Sequence, residues 1–229
     1  MASTSSVALI IVAALAGAGT LGFAASIGAD RAPGRSTASR GAPRPGHPLR
    51  VPAVRAVLMA ALLLGAVIGA LEVAVPIFAI GHGSPAAAGL LIAALSVGGI
   101  AGATVYGSVR WRIAPAGRLL FLFAAMTFWL GLTIAAESLL VIGVLLLLAG
   151  VSLNPALATF SLLIDEHIPC AAAEAFGWLS TAIAGGTGAA SALAAVVAHR
   201  HDAGAALAVA AIAGAAATAV AALAFRAAR

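Results

Sequence analysis

Seven stretches of this sequence stay apolar for about the twenty residues that a helix needs to cross the hydrocarbon core of a bilayer, and short polar segments separate them. They fall roughly at 6–28, 55–80, 85–109, 117–136, 138–163, 171–197 and 203–225. None keeps up the alternation of a strand, and all are too long for barrel strands. Water is a poor solvent for such a chain. Of its 229 residues, 63% are hydrophobic and 8% charged, with a mean hydropathy of +1.14. The surface-to-volume ratio of a soluble domain this size would leave much of that apolar surface unburied. The expected fold is all-α, a polytopic membrane protein with about seven transmembrane helices.

The first stretch follows "MASTSS", which has no Lys or Arg, and its apolar core outruns that of a signal peptide, so it reads as a retained helix over 1–28. Residues 29–54 are rich in Pro, Gly, Ser and Arg and read as a flexible connector. Residues 55–229 then form a six-helix transmembrane body. The single Cys170 supports neither a disulfide framework nor a cysteine metal site.

The arginines set the expected orientation. Arg31, Arg35, Arg40, Arg44, Arg50 and Arg55 lie in or beside the connector, Arg110, Arg112 and Arg118 between the third and fourth stretches, and Arg226 and Arg229 at the end. If the helices alternate in direction, all of these share one side and Arg200 alone is opposite. The positive-inside rule makes that side cytoplasmic. The expectation is a multi-pass protein of the cell membrane with its N-terminus outside and its C-terminus cytoplasmic. The net charge of +5 then reports topology. It does not indicate nucleic-acid binding, because the basic residues are split among loops with no aromatic platform. Near anionic lipid each connector arginine would contribute about 1 kcal/mol.

Small and polar residues share helix faces. Gly65, Gly69, Glu72 and Pro76 fall within a narrow arc, and the Gly65–Gly69 step lets a second helix approach closely. A carboxylate at Glu72 costs several kcal/mol in lipid unless it is protonated, paired or wet, so it is expected to face protein or a cavity and is a candidate for a solute or proton path. Pro76 withholds a backbone donor and supports a kink there. Gly98 and Gly102 make another close-packing step. In the fifth stretch Gly143, Gly150, Asn154, Ala158, Ser161 and Asp165 share one side, with Pro155 beside Asn154. In the sixth, Glu174, Gly177, Thr181, Ala184, Gly188 and Ser191 do the same. For the glycines the reading is packing. Asn154 is either an interhelical hydrogen-bonding residue or a ligand contact, and Thr181 is a further path candidate. Glu174 complements the dipole of its helix. Asp165 and Glu166 are expected to meet Arg110, Arg112 or Arg118 as a conformational latch, and Glu137 to be solvated.

The zinc, phosphate-loop and serine-nucleophile signatures HExxH, GxxxxGK[ST] and GxSxG are absent. No catalytic constellation, metal site or cofactor is expected, and the chain does not read as an enzyme. With no Lys in the sequence, a retinal-type Schiff base is excluded despite the helix count.

In their order these features resemble the C-terminal half of a major facilitator superfamily transporter of the bacterial efflux type, with one preceding helix. "GALEVAVPIFA" looks like the family's seventh helix. "YGSVRWRIAPAGR" sits where the family has its signature loop, with Gly107, Arg112, Gly117 and Arg118 in place but without the family's Asp. "IPCAAAEAFGWLSTAIAGGTGAASALAA" looks like the eleventh helix. The first stretch would be the sixth helix, and the connector the loop between the halves. The resemblance implies that the last six helices form two inverted three-helix repeats, with Gly98, Gly99 and Gly102 matching Gly185, Gly186 and Gly188. It implies secondary transport of a small solute, with Arg112 and Arg118 as gating candidates, and the deep carboxylate of Glu72 makes protons the candidate coupling ion. It also implies a missing complement: a separate N-terminal half, a second copy, or a truncated product. The alternative reading is a non-transporting membrane scaffold or accessory subunit.

Overall fold

The computed structural model describes residues 52–167 and 172–227. The stretch at 6–28, the connector as far as residue 51, and Cys170 lie outside the described residues. Six helices make up the rest: α1 Pro52–Gly81, α2 Ala87–Ser108, α3 Pro115–Thr133, α4 Leu139–His167, α5 Ala172–Arg200 and α6 Ala203–Ala227. All six are long and apolar enough to cross a membrane. The described residues are those of a polytopic helical membrane protein.

Local chemistry sets the helix ends. α1 and α3 open on Pro52 and Pro115, whose fixed φ suits the first turn and whose missing N–H is not needed there. α1 closes on Gly83, with φ of 68°. Gly83 N–H donates to Ile80 and Ser84 N–H to Ala79, at 2.9 and 3.0 Å, so two C-terminal carbonyls are satisfied around a left-handed glycine. His82 stacks on Phe78 with ring centroids 4.1 Å apart. Its ring nitrogens lie 2.9 Å from the Phe78 carbonyl and 3.0 Å from that of Glu137, tying the end of α1 to the turn before α4. Asp202 caps α6, its carboxylate accepting the Ala205 N–H at 2.7 Å. α4 continues past the expected end at 163, and the His167 ring lies 2.8 Å from the Leu163 carbonyl in its last turn.

α1 packs mainly on α5 and α6, α4 on α2 and α3, and α3 meets α6. Phe123, Phe160, Leu64, Met126, Ile142, Leu146 and Leu207 fill the centre. At the α3–α6 contact Thr218 gives its proton to the Gly214 carbonyl, so Thr127 is the donor in the 3.1 Å Thr127–Thr218 bond. Burial is uneven: half of the apolar span of α1 is buried, against 22% for α2 and 17% for α5. These two outer helices rest on their neighbours through glycine. A Cβ on Gly65 or Gly69 would run into the main chain of α5 at Ile183 or Thr187, and one on Gly186 into Leu62. A Cβ on Gly98 or Gly102 would run into the main chain of α4 at Leu147 or Val151, and one on Gly150 into Leu95. The backbones therefore touch at both crossings.

Candidate functional site

A cavity of about 320 Å³ opens between α1, α2 and α4. Its wall is largely aliphatic, supplied by Ile68, Leu71, Val75, Leu95, Leu146 and Leu153 among others. Three polar side chains line it, Glu72, Ser96 and Asn154, and Glu72 is the one charged group in the lining. The structure thus brings together two sequence candidates that lie on different helices.

Each polar group is held by local backbone chemistry. Pro76 has no N–H to offer the Glu72 carbonyl one turn earlier, so Glu72 brings a carboxylate and a main-chain oxygen without its helical donor. Asn154 is half-buried near the middle of α4. It has room because the residue opposite is Gly99, where a Cβ would lie 2.6 Å from the amide nitrogen. Buried Pro155 next to it withholds the donor from the Val151 carbonyl, which lies against Gly102. Ser96 was not foreseen, since a serine in an Ala- and Gly-rich helix carries no distinguishing signal. Its hydroxyl donates to Ile92 at 3.0 Å within α2. An aliphatic wall bearing one carboxylate and one amide favours a ligand with a positive charge or N–H donors.

The remaining candidates lie elsewhere. Thr181 is exposed on α5, donates to the Gly177 carbonyl at 2.9 Å and does not line the cavity. Gly177 and Gly188 have nothing within 4 Å of a Cβ. Of the expected small-residue face of α5, Ser191 does meet α1, and the contact continues through Ile183, Gly186 and Thr187. The small-residue pattern found only one edge of this face because α5 is small on nearly every side. Asp165, Glu166 and Glu174 are exposed at the arginine-bearing end. Arg112 is exposed too, while Arg118 turns to its own loop: its Nε donates to Ile113 at 2.6 Å and its guanidinium sits 5.7 Å from the Trp111 ring centroid. A larger cavity of about 640 Å³ lies between the ends of α1, α3, α4 and α6, where Glu166 and His167 bring polar groups to a wall of Ala, Pro, Val and Leu.

The loop between α2 and α3 is fastened to the last turn of α2, which is tied in turn to α4. The Trp111 indole N–H donates to the Tyr106 carbonyl at 2.9 Å, satisfying one of the last carbonyls of α2. The Tyr106 hydroxyl reaches Thr159 of α4 at 2.8 Å.

No family model matches the chain, and no curated protein or solved structure matches it.

Proposed function

We propose that this chain is part of a secondary transporter of small solutes, of the major facilitator type and acting in efflux, and that the cavity around Glu72 and Asn154 belongs to its solute path. The observation that carries this reading is the pairing of a carboxylate and an amide in one aliphatic cavity within apolar helices, where polar groups are costly and commonly mark solute or ion paths. The contact pattern supports it. Exchanging the first three helices for the last three leaves the main contacts unchanged: α1 on α5 and α6 becomes α4 on α2 and α3, and α3 on α6 maps to itself. The correspondence extends to single residues, with Gly65 against Ile183 matching Gly150 against Leu95, and Gly186 against Leu62 matching Gly98 against Leu147. That is the arrangement expected of two inverted repeats. The exposed sides of α2 and α5 leave room for a second transporter half or a second copy.

In this reading the solute carries a positive charge or N–H donors, and a proton competes with it for Glu72. Its binding shifts the balance between two rocking states by as much as its affinity for them differs. The test is Glu72→Gln in vesicles holding the complete assembly. Proton-dependent flux should be lost while the protein still inserts and folds, and unchanged pH-dependent flux would remove Glu72 from the mechanism.

One observation favours a non-transporting scaffold: α5 offers Gly177 and Gly188 on a side that nothing covers among the described residues. An adjacent reading frame encoding the complementary helices favours the transporter. Co-purification with an unrelated membrane protein through that side of α5 favours the scaffold.

A further inference from the structure

We propose that Tyr106 and Thr159 are positioning residues that couple the α2–α3 loop to α4 at Pro155, and through it to Asn154 in the cavity wall. The hydrogen bonds have a defined direction. Thr159 is fully buried, and its one proton goes to the Pro155 carbonyl at 2.7 Å. In the 2.8 Å contact between the two hydroxyls Tyr106 must therefore be the donor. Behind Tyr106 stands the loop: the Trp111 N–H holds the Tyr106 carbonyl, their rings lie 5.0 Å apart, and Arg118 covers Trp111. An unbroken set of contacts runs from the Arg118 guanidinium in the first turn of α3, through Trp111 of the loop, to Pro155.

The far end of this chain meets α4 where the helix yields most easily. Pro155 removes one rung of the hydrogen-bond ladder, and helices bend at such positions. Asn154 precedes the proline and fits over Gly99 with no room for a Cβ between them. Flexing of α4 at Pro155 would therefore turn the Asn154 amide or slide α2, and either would reshape the cavity. Tyr106 and Thr159 bridge α2 and α4, so displacement of the loop acts on both walls together. This inference concerns the cavity wall alone and holds whether the cavity carries a solute or not.

The test uses the full chain in membrane vesicles, with Cys170→Ala and Asn154→Cys leaving one thiol in the cavity wall, and reads the rate of its modification by a small methanethiosulfonate reagent. Tyr106→Phe, Trp111→Phe and Thr159→Val should each change that rate by about threefold or more, in the same direction. The double variant Tyr106→Phe with Thr159→Val should match either single one. Thr159→Ser, which keeps the hydroxyl, should keep the parent rate. A control thiol at Gly188→Cys, on the uncovered side of α5, should react at one rate in every background. Where Tyr106→Phe yields no folded protein, Arg118→Gln takes its place: it should alter the rate at 154 only while Thr159 keeps its hydroxyl. A parent rate at 154 in Tyr106→Phe, an additive double variant, a Thr159→Ser that behaves as Thr159→Val, or a parallel change at 188 would each overturn the proposal.

Discussion

Where α1 crosses α5, Thr187 and Ser191 donate to the main-chain carbonyls of Gly65 and Gly69 at 3.1 and 3.0 Å. Where α2 crosses α4, Gly99 faces the Asn154 side chain, and neither residue donates to a main-chain oxygen across the contact in the way that Thr187 and Ser191 do. Both crossings bring backbones into contact through glycine, yet they are fastened differently. The first is tied along its middle by side chains that hold main-chain oxygens. The second is tied through Tyr106 and Thr159 toward the arginine-bearing end, and its middle carries the polar amide of the cavity. The lesson is that close packing and firm fastening are separable. The crossing that borders the cavity keeps the first and gives up part of the second, which leaves its centre able to adjust to an occupant.

Breaking the backbone contact itself should have the largest effect. Gly65→Leu and Gly98→Leu each drive a side chain into a carbonyl on the facing helix, and each should cost about 3 kcal/mol in reversible unfolding from mixed micelles. Similar losses support two equivalent crossings, while a loss confined to Gly65→Leu would show that α2 moves away freely. Removing the fastening should cost less: Thr187→Val should lower stability by about 1 kcal/mol. Gly99→Ala sharpens the contrast. Its Cβ meets the end of a side chain rather than backbone, so Asn154 should swing aside and ligand binding in the cavity should change by more than stability does. Tyr106→Phe, losing one hydrogen bond in a membrane setting, should cost about 0.6 kcal/mol. Smallest is Gly188→Ala, on a side with nothing within 4 Å, which should stay within about 0.5 kcal/mol of the parent. A loss as large as that of Thr187→Val would mean that another protein covers this side of α5.

Much of the described fold was legible because lipid imposes one strong rule. Runs of apolar residues long enough to span a bilayer located all six described helices to within a few residues at most ends, and glycines spaced by four on α1 and α2 coincide with the backbone contacts. Glu72 and Asn154 stood out because each is polar in an apolar run beside a helix proline. Their meeting in one cavity was not legible, since it depends on which helices become neighbours. The same limit hid the Tyr106–Thr159 bond, whose partners are far apart in sequence, and the role of Thr187, one hydroxyl among the many small residues of α5. Arg118 was one of three arginines expected to meet Asp165 or Glu166, but its guanidinium group is engaged by Trp111 and the Ile113 carbonyl, close by in the chain.

The helices are unequal in length. α3 has 19 residues, about 28 Å of helix, whereas α1 has 30, about 45 Å. A hydrocarbon layer of about 30 Å suits the first and falls well short of the second. Lipid around the bundle therefore meets a hydrophobic girdle of uneven height: α3, with Phe121, Phe128 and Leu132 exposed, favours a thin bilayer, while the longer helices accommodate it by tilting. Acyl-chain length is thus a physical variable for this protein, and thick, sterol-rich or long-chain membranes will strain it first along the outward edge of α3.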